Sequence, residues 1–169
     1  MIPVISFVGK SDCGKTTYLV KLIGEMKRLG YKVATIKHDV HGFEMDKPGK
    51  DTWRHAQAGA DVVCISSPQK MAMIQKVEQE LALTEVVEQI SGVDIIFTEG
   101  YKQEGKIRVE VFRREVCDAP LCREEDLLAS VSDVALYPGV PCFPLDDPAP
   151  LAAFLETRMG LKKPDALME

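Results

Sequence analysis

The chain has 169 residues, 46% of them hydrophobic, and its 21 basic against 26 acidic residues leave a net charge of −5. That length suits one compact domain spanning 1–169, large enough to bury about 70% of its unfolded surface. No apolar run approaches a membrane span, and the acidic balance opposes non-specific nucleic-acid binding, which needs clustered Lys and Arg. The first residues run straight into an apolar segment, with no basic stretch and signal core, so a cytoplasmic location is expected. Five cysteines is an odd number with no C-x-x-C pair. They read as reduced thiols, with a disulfide or zinc grouping of Cys117, Cys122 and Cys142 as the weaker alternative.

In chain order, the apolar run Val4–Val8 predicts a strand. GKSDCGKTT (Gly9 to Thr17) follows it and leads into YLVKLIGEMKRL, which has a helix's spacing. Strand, glycine-bounded loop and helix together turn the pattern G-x-x-x-x-G-K-[ST] into a phosphate site. The loop N–H groups form an anion nest, and the helix N-terminus adds about half a positive charge. Gly9 and Gly14 allow backbone angles that a Cβ forbids. The candidate nucleotide contacts are therefore Gly9, Lys10, Ser11, Asp12, Cys13, Gly14, Lys15, Thr16 and Thr17. Lys15 would reach the β- and γ-phosphates, and the Thr16 hydroxyl would be a Mg²⁺ ligand.

The helix is predicted over Lys15–Leu29, with Tyr18, Leu19, Leu22, Ile23, Met26 and Leu29 on one stripe. Gly30 ends it. Lys32–Lys37 reads as the second strand, and His38–Lys50 as a long aperiodic loop, a type that is usually functional or mobile. A short helix follows at Asp51–Ala58, with Asp51 as its expected N-cap. Asp61–Ser66 and Lys70–Gln75 predict an antiparallel hairpin whose apolar edge invites another chain. A helix is expected over Glu78–Ile90, with Val77, Leu81, Val87 and Ile90 inward. Asp94–Gly100 reads as a buried parallel strand. Lys106–Arg113 alternates as a half-exposed strand does. Val116–Glu125 is loop, Leu127–Ser132 a core strand, Pro141–Leu145 a short strand and Pro148–Met159 a closing helix, with 162–169 frayed.

Strands alternating with helices imply an α/β fold: a mostly parallel twisted sheet with helices on both faces and an antiparallel hairpin extension. Ligands in such sheets sit at the carboxyl ends of the strands. There the second metal candidate is Glu99. Asp46 and Asp51 lie on the loop and could close on the metal, but are equally explained by capping or solvation. Lys37, His38 and His41 follow the second strand; phosphate contacts and plain loop structure are equally open for them. Arg54 and His55 sit on the short helix, where solvent is the simpler role. Asp133, after Leu127–Ser132, is a candidate reader of a guanine base. It lacks the Asn and Lys of the usual Asn-Lys-x-Asp motif, and is equally a turn residue or one that opens a helix.

The loop GKSDCGKTT, the segment KHDVHGF with Asp46 and GKDTWRHAQAGA, and the strand end DIIFTEGYK together resemble the molybdopterin-guanine dinucleotide biosynthesis protein B (MobB) family. The resemblance is specific to about Tyr101 and more diffuse beyond it. It implies a P-loop fold, bound GTP, a homodimer, and an accessory role beside a separate molybdopterin guanylyltransferase, with molybdopterin itself as a further candidate ligand. Mg²⁺ is implied by the residues themselves, since a triphosphate brings about four negative charges to neutralise. No residue reads as one that positions an attacking water, so GTPase activity is expected to be weak at most. The rival readings are an ATP-dependent kinase or ligase like dethiobiotin synthetase, a metallochaperone-type GTPase, and a structural protein with a vestigial loop.

Overall fold

The computed structural model describes residues 1–101 and 104–163. The chain forms two compact units: Met1–His38 together with Val87–Glu169, and the intervening Asp39–Val86. The larger unit is built on six parallel strands in the order β2-β5-β1-β6-β7-β8. They are β1 (Val4–Val8), β2 (Val33–Lys37), β5 (Ile95–Glu99), β6 (Arg108–Phe112), β7 (Leu127–Ser132) and β8 (Cys142–Phe143). The smaller unit carries the hairpin β3 (Val62–Ser67) and β4 (Lys70–Gln75), a separate antiparallel sheet.

Helices α1 (Lys15–Arg28) and α4 (Ala149–Met159) pack against each other, and both feed the main core. Phe7 of β1 meets Tyr18 of α1, and Phe97 of β5 stands edge-on to Phe7 with centroids 5.5 Å apart. Leu22, Met26, Leu151 and Leu155 are fully buried beside them. Each such side chain contributes roughly 1.5–3 kcal/mol, so this layer fixes α1 and the loop that precedes it. Helix α1 ends as its sequence predicts. Gly30 takes a φ of 92°, Gly30 N–H donates to Lys27 O, and Tyr31 N–H donates to Met26 O. That pair of bonds is a Schellman closure, and Tyr31 and Met26 are both buried under it.

Three expectations are corrected. The predicted helix over Glu78–Ile90 is only α3 (Leu83–Glu88). Glu85 reaches back to accept the Ala82 N–H, which sets the start there, and Val77 is exposed rather than inward. Helix α2 (Asp51–Gln57) has Lys50, not Asp51, at its N-cap; Asp51 is its first helical residue, where its charge still favours the helix dipole. Strand β6 is not half-exposed but central, lying between β1 and β7. Its Glu110 is 1% exposed. The carboxylate accepts from Leu121 N–H at 2.6 Å, Cys122 N–H at 3.2 Å and the Tyr137 hydroxyl at 2.7 Å, which makes its burial tolerable. Residues 164–169 of the tail expected to fray lie outside the described residues.

Candidate nucleotide-binding site

The loop between β1 and α1 has the backbone its glycines predict. Gly9 and Gly14 take φ values of 150° and 92°, and Asp12 sits in the left-handed region at 61°. A Cβ on Gly9 would run into the Val111 carbonyl oxygen of neighbouring β6, so the loop is seated directly on the sheet. Tyr18 N–H donates to Gly14 O at 2.9 Å, and Gly14 has no side chain to cap the helix. The first-turn N–H groups of α1 are thus left for a ligand.

The Lys15 ammonium folds over this loop, donating to Gly9 O at 3.1 Å and Lys10 O at 2.7 Å. It also lies 3.8 Å from the Cys13 sulfur. Cys13 is fully buried beneath the loop, and burial pushes its thiol pKa up, with the nearby Lys15 charge opposing. It is a packed neutral thiol rather than a reactive one.

Thr16 and Glu99, 83 positions apart, are brought together. The Thr16 hydroxyl donates to the Glu99 carboxylate, with its oxygens at 2.8 and 3.0 Å. Strand order explains the meeting, because β5 lies next to β1 and Glu99 is its last residue. Beyond Glu99, His38 N–H donates to Glu99 O at 2.8 Å, and the His38 ring stacks on Tyr101 with centroids 4.7 Å apart. Gly100 has a φ of 103° and would place a Cβ 2.6 Å from His38 O. Only glycine fits that corner, which holds the end of β5 in place. An open cleft of about 420 Å³ lies between Ser11–Thr17 and Glu99.

This donor set fits Mg²⁺. One hydroxyl and one carboxylate oxygen face one cleft, and a small hard cation completes its shell with water and phosphate oxygens. Among the described residues no group of three or more His, Cys, Asp or Glu could hold a metal. All five cysteines are free. Asp46 and Asp51 belong to the Asp39–Val86 unit, as do His41, Arg54 and His55. There Asp46 accepts the Lys47 N–H at 2.8 Å, and the His41 N–H bonds the Asp39 carboxylate at 3.0 Å.

On the other flank of the loop, Asp133 follows β7, and its carboxylate accepts the Arg114 N–H at 3.0 Å. A second cavity of about 470 Å³ opens here, between Phe112 and Arg114 on one side and Val134, Ala135 and Leu136 on the other. Arg113, absent from the candidates read in sequence, places a guanidinium nitrogen 3.9 Å from where a Gly14 Cβ would stand. Its only signal was a cation at the end of a strand-like run; the adjacency of β6 and β1 makes it relevant. No helix among the described residues is long and apolar enough to cross a membrane.

Comparison with known proteins identifies a family. The sequence model of the family described as molybdopterin guanine dinucleotide synthesis protein B matches residues 4–133. The chain is 34% identical over 161 residues to the molybdopterin-guanine dinucleotide biosynthesis adapter protein of Escherichia coli (strain K12), covering 92% of both chains. The protein of that name from Haemophilus influenzae is 33% identical over 117 residues, 68% of this chain and 66% of its own. The crystal structure of Bacillus subtilis MobB has a TM-score of 0.73 at 26% identity, covering 96% of this chain and 100% of that one.

Proposed function

Since the chain belongs to the molybdopterin guanine dinucleotide synthesis protein B family and is an adapter protein of that biosynthesis, we propose that it works by holding GTP and Mg²⁺ for a separate guanylyltransferase. The observation that carries this is the meeting of Thr16 and Glu99 at the mouth of a complete phosphate loop, with Lys15 folded over the same loop. The loop N–H groups and Lys15 take the phosphates, and Thr16 and Glu99 hold the metal. Mg²⁺ there neutralises phosphate charge, of which a triphosphate brings about four units. Residues 10–14 and Thr17 shape the cradle, and Asp133 beside the second cavity is the candidate guanine reader. In this reading hydrolysis is weak at most and nucleotide retention is the working state.

The active form is a homodimer in this reading. Val62, Ile65, Met71 and Met73 of the hairpin are about half exposed or more. Cross-strand pairs put Cys64 with Met73 on one face and Ile65 with Ala72 on the other, so both faces are apolar. A two-stranded hairpin is marginal alone, and a second copy of the same edge would cover it.

The test is calorimetry with GTP and ATP, with and without Mg²⁺, on the wild type and on Lys15→Ala. Among the described residues Lys15 donates only within its own loop, so the variant should fold normally while triphosphate affinity falls by several kcal/mol. A folded variant with wild-type GTP affinity would overturn the site.

A further inference from the structure

We infer that Arg113 is a nucleotide-phosphate ligand, acting on the flank of the phosphate loop opposite the metal. The inference rests on the proposed nucleotide site and extends it. Strand β1 delivers the loop, and its two neighbours end in opposite charges: β5 in Glu99, and β6, through the next residue, in Arg113. Thr16 and Glu99 mark the metal flank. A phosphate chain that starts at the metal and crosses the loop reaches the β6 flank at its nucleoside end. The 470 Å³ cavity is lined by Phe112 and Arg114, the residues on either side of Arg113.

Arg113 is half-buried. Its guanidinium makes no hydrogen bond or ion pair among the described residues, whereas Arg28 and Arg123 are both paired with carboxylates. It nevertheless stands against Gly14, at the positive end of α1. A cation at a helix N-terminus is unfavourable unless an anion joins it. The backbone at this point is held firmly. Arg113 O accepts the Val116 and Cys117 N–H groups at 3.0 and 2.9 Å, and the next residue's N–H is fixed on Asp133. The guanidinium is therefore presented from a fixed backbone, and its planar fork suits phosphate oxygens.

The position distinguishes this role from that of Glu99. A cation on the nucleoside flank touches phosphates that GDP and GTP share, and needs no metal. Titrating wild type and Arg113→Ala with GDP and GTP, each with Mg²⁺ and with EDTA, should show all four affinities falling by one common factor. That factor should be roughly 10- to 100-fold, the range for one charge-assisted cation. Arg113→Lys should recover part of the loss. Unchanged affinities, or a loss confined to GTP with Mg²⁺, would overturn the inference while leaving the nucleotide site standing. A wild type that binds neither nucleotide would overturn the site itself and this inference with it. Should the alanine variant melt early, Arg113→Gln keeps the aliphatic stem and carries the same measurement.

Discussion

Replacing Glu99 with Gln isolates charge from shape. The Thr16 hydroxyl sits 2.8 and 3.0 Å from the two carboxylate oxygens, and the amide keeps one of them as an acceptor. The loop therefore stays in place, and what changes is the field. Two unit charges about 4 Å apart interact by about 1 kcal/mol in water and about 4 kcal/mol at an effective dielectric near 20. A divalent cation doubles both figures. Thr16 is exposed and Glu99 only partly buried, so the watery limit applies. The loss for Mg²⁺-bound GTP is then about 2 kcal/mol, roughly 30-fold in affinity. Without metal the sign reverses, because Glu99 then repels the phosphates. GDP affinity in EDTA should stay level or rise a few-fold. Calorimetric titration of both proteins under both conditions reads the two signs directly. A loss of equal size with and without Mg²⁺ would refute the metal role of Glu99 and turn attention to Asp46 and Asp51.

Met71→Lys with Met73→Lys should shift sedimentation toward monomer, since both side chains are more than half exposed on one hairpin face; a wild type already monomeric at micromolar concentration would contradict the dimer. Asp133→Asn keeps an oxygen for the Arg114 N–H, so the turn should survive. If Asp133 reads guanine, GTP affinity falls and xanthosine triphosphate gains, because a site built on such hydrogen bonds rejects a mismatch sharply; an unchanged preference removes Asp133 from base recognition. Stability should fall above about pH 9. Burial, reinforced by the Glu110 charge, pushes Cys122 from 9.0 up to about 11, and burial with the Glu156 hydrogen bond takes Tyr31 from 10.0 up to about 12. Cys13, Tyr18 and Tyr137 move the same way. The unfolded chain releases these protons first, so their contribution is complete below the unfolded values and is lost as pH climbs through the folded ones. Urea midpoints that stay flat from pH 7 to about 10.5 would contradict this.

The parts that were legible in sequence are those whose cause is local. The phosphate loop, the stripe of α1, its Gly30 stop and the apolar run of β5 each carry their reason within a few residues. Glu99 was legible because a buried strand ends there. The parts that were not legible depend on distant partners. The alternation Arg108-Val109-Glu110-Val111 is that of a half-exposed strand, and nothing nearby announces that Leu121, Cys122 and Tyr137 satisfy the carboxylate. The apolar spacing of Val77 and Leu81 fits a helix, but Glu85 closes on Ala82 and the helix begins after both. Arg113 looked like the polar end of a strand; the sheet order, which sequence does not state, sets it beside Gly14.

The buried Glu110 also bears on how the sheet finds its alignment. Val109 and Val111 of β6 join the helix-side core, while Glu110 faces the other way with Ser130 as its partner on β7. A slip of one residue here would turn the carboxylate into the layer of Phe7, Leu151 and Leu155 and strip it of three donors. Between Arg108 and Val109 the β6–β7 pairing already skips a residue, so the ladder has a point where such a slip could start. Glu110 thus acts as a key that admits one alignment. That alignment carries the end of β6, and with it the second flank of the loop, to a fixed height above the sheet.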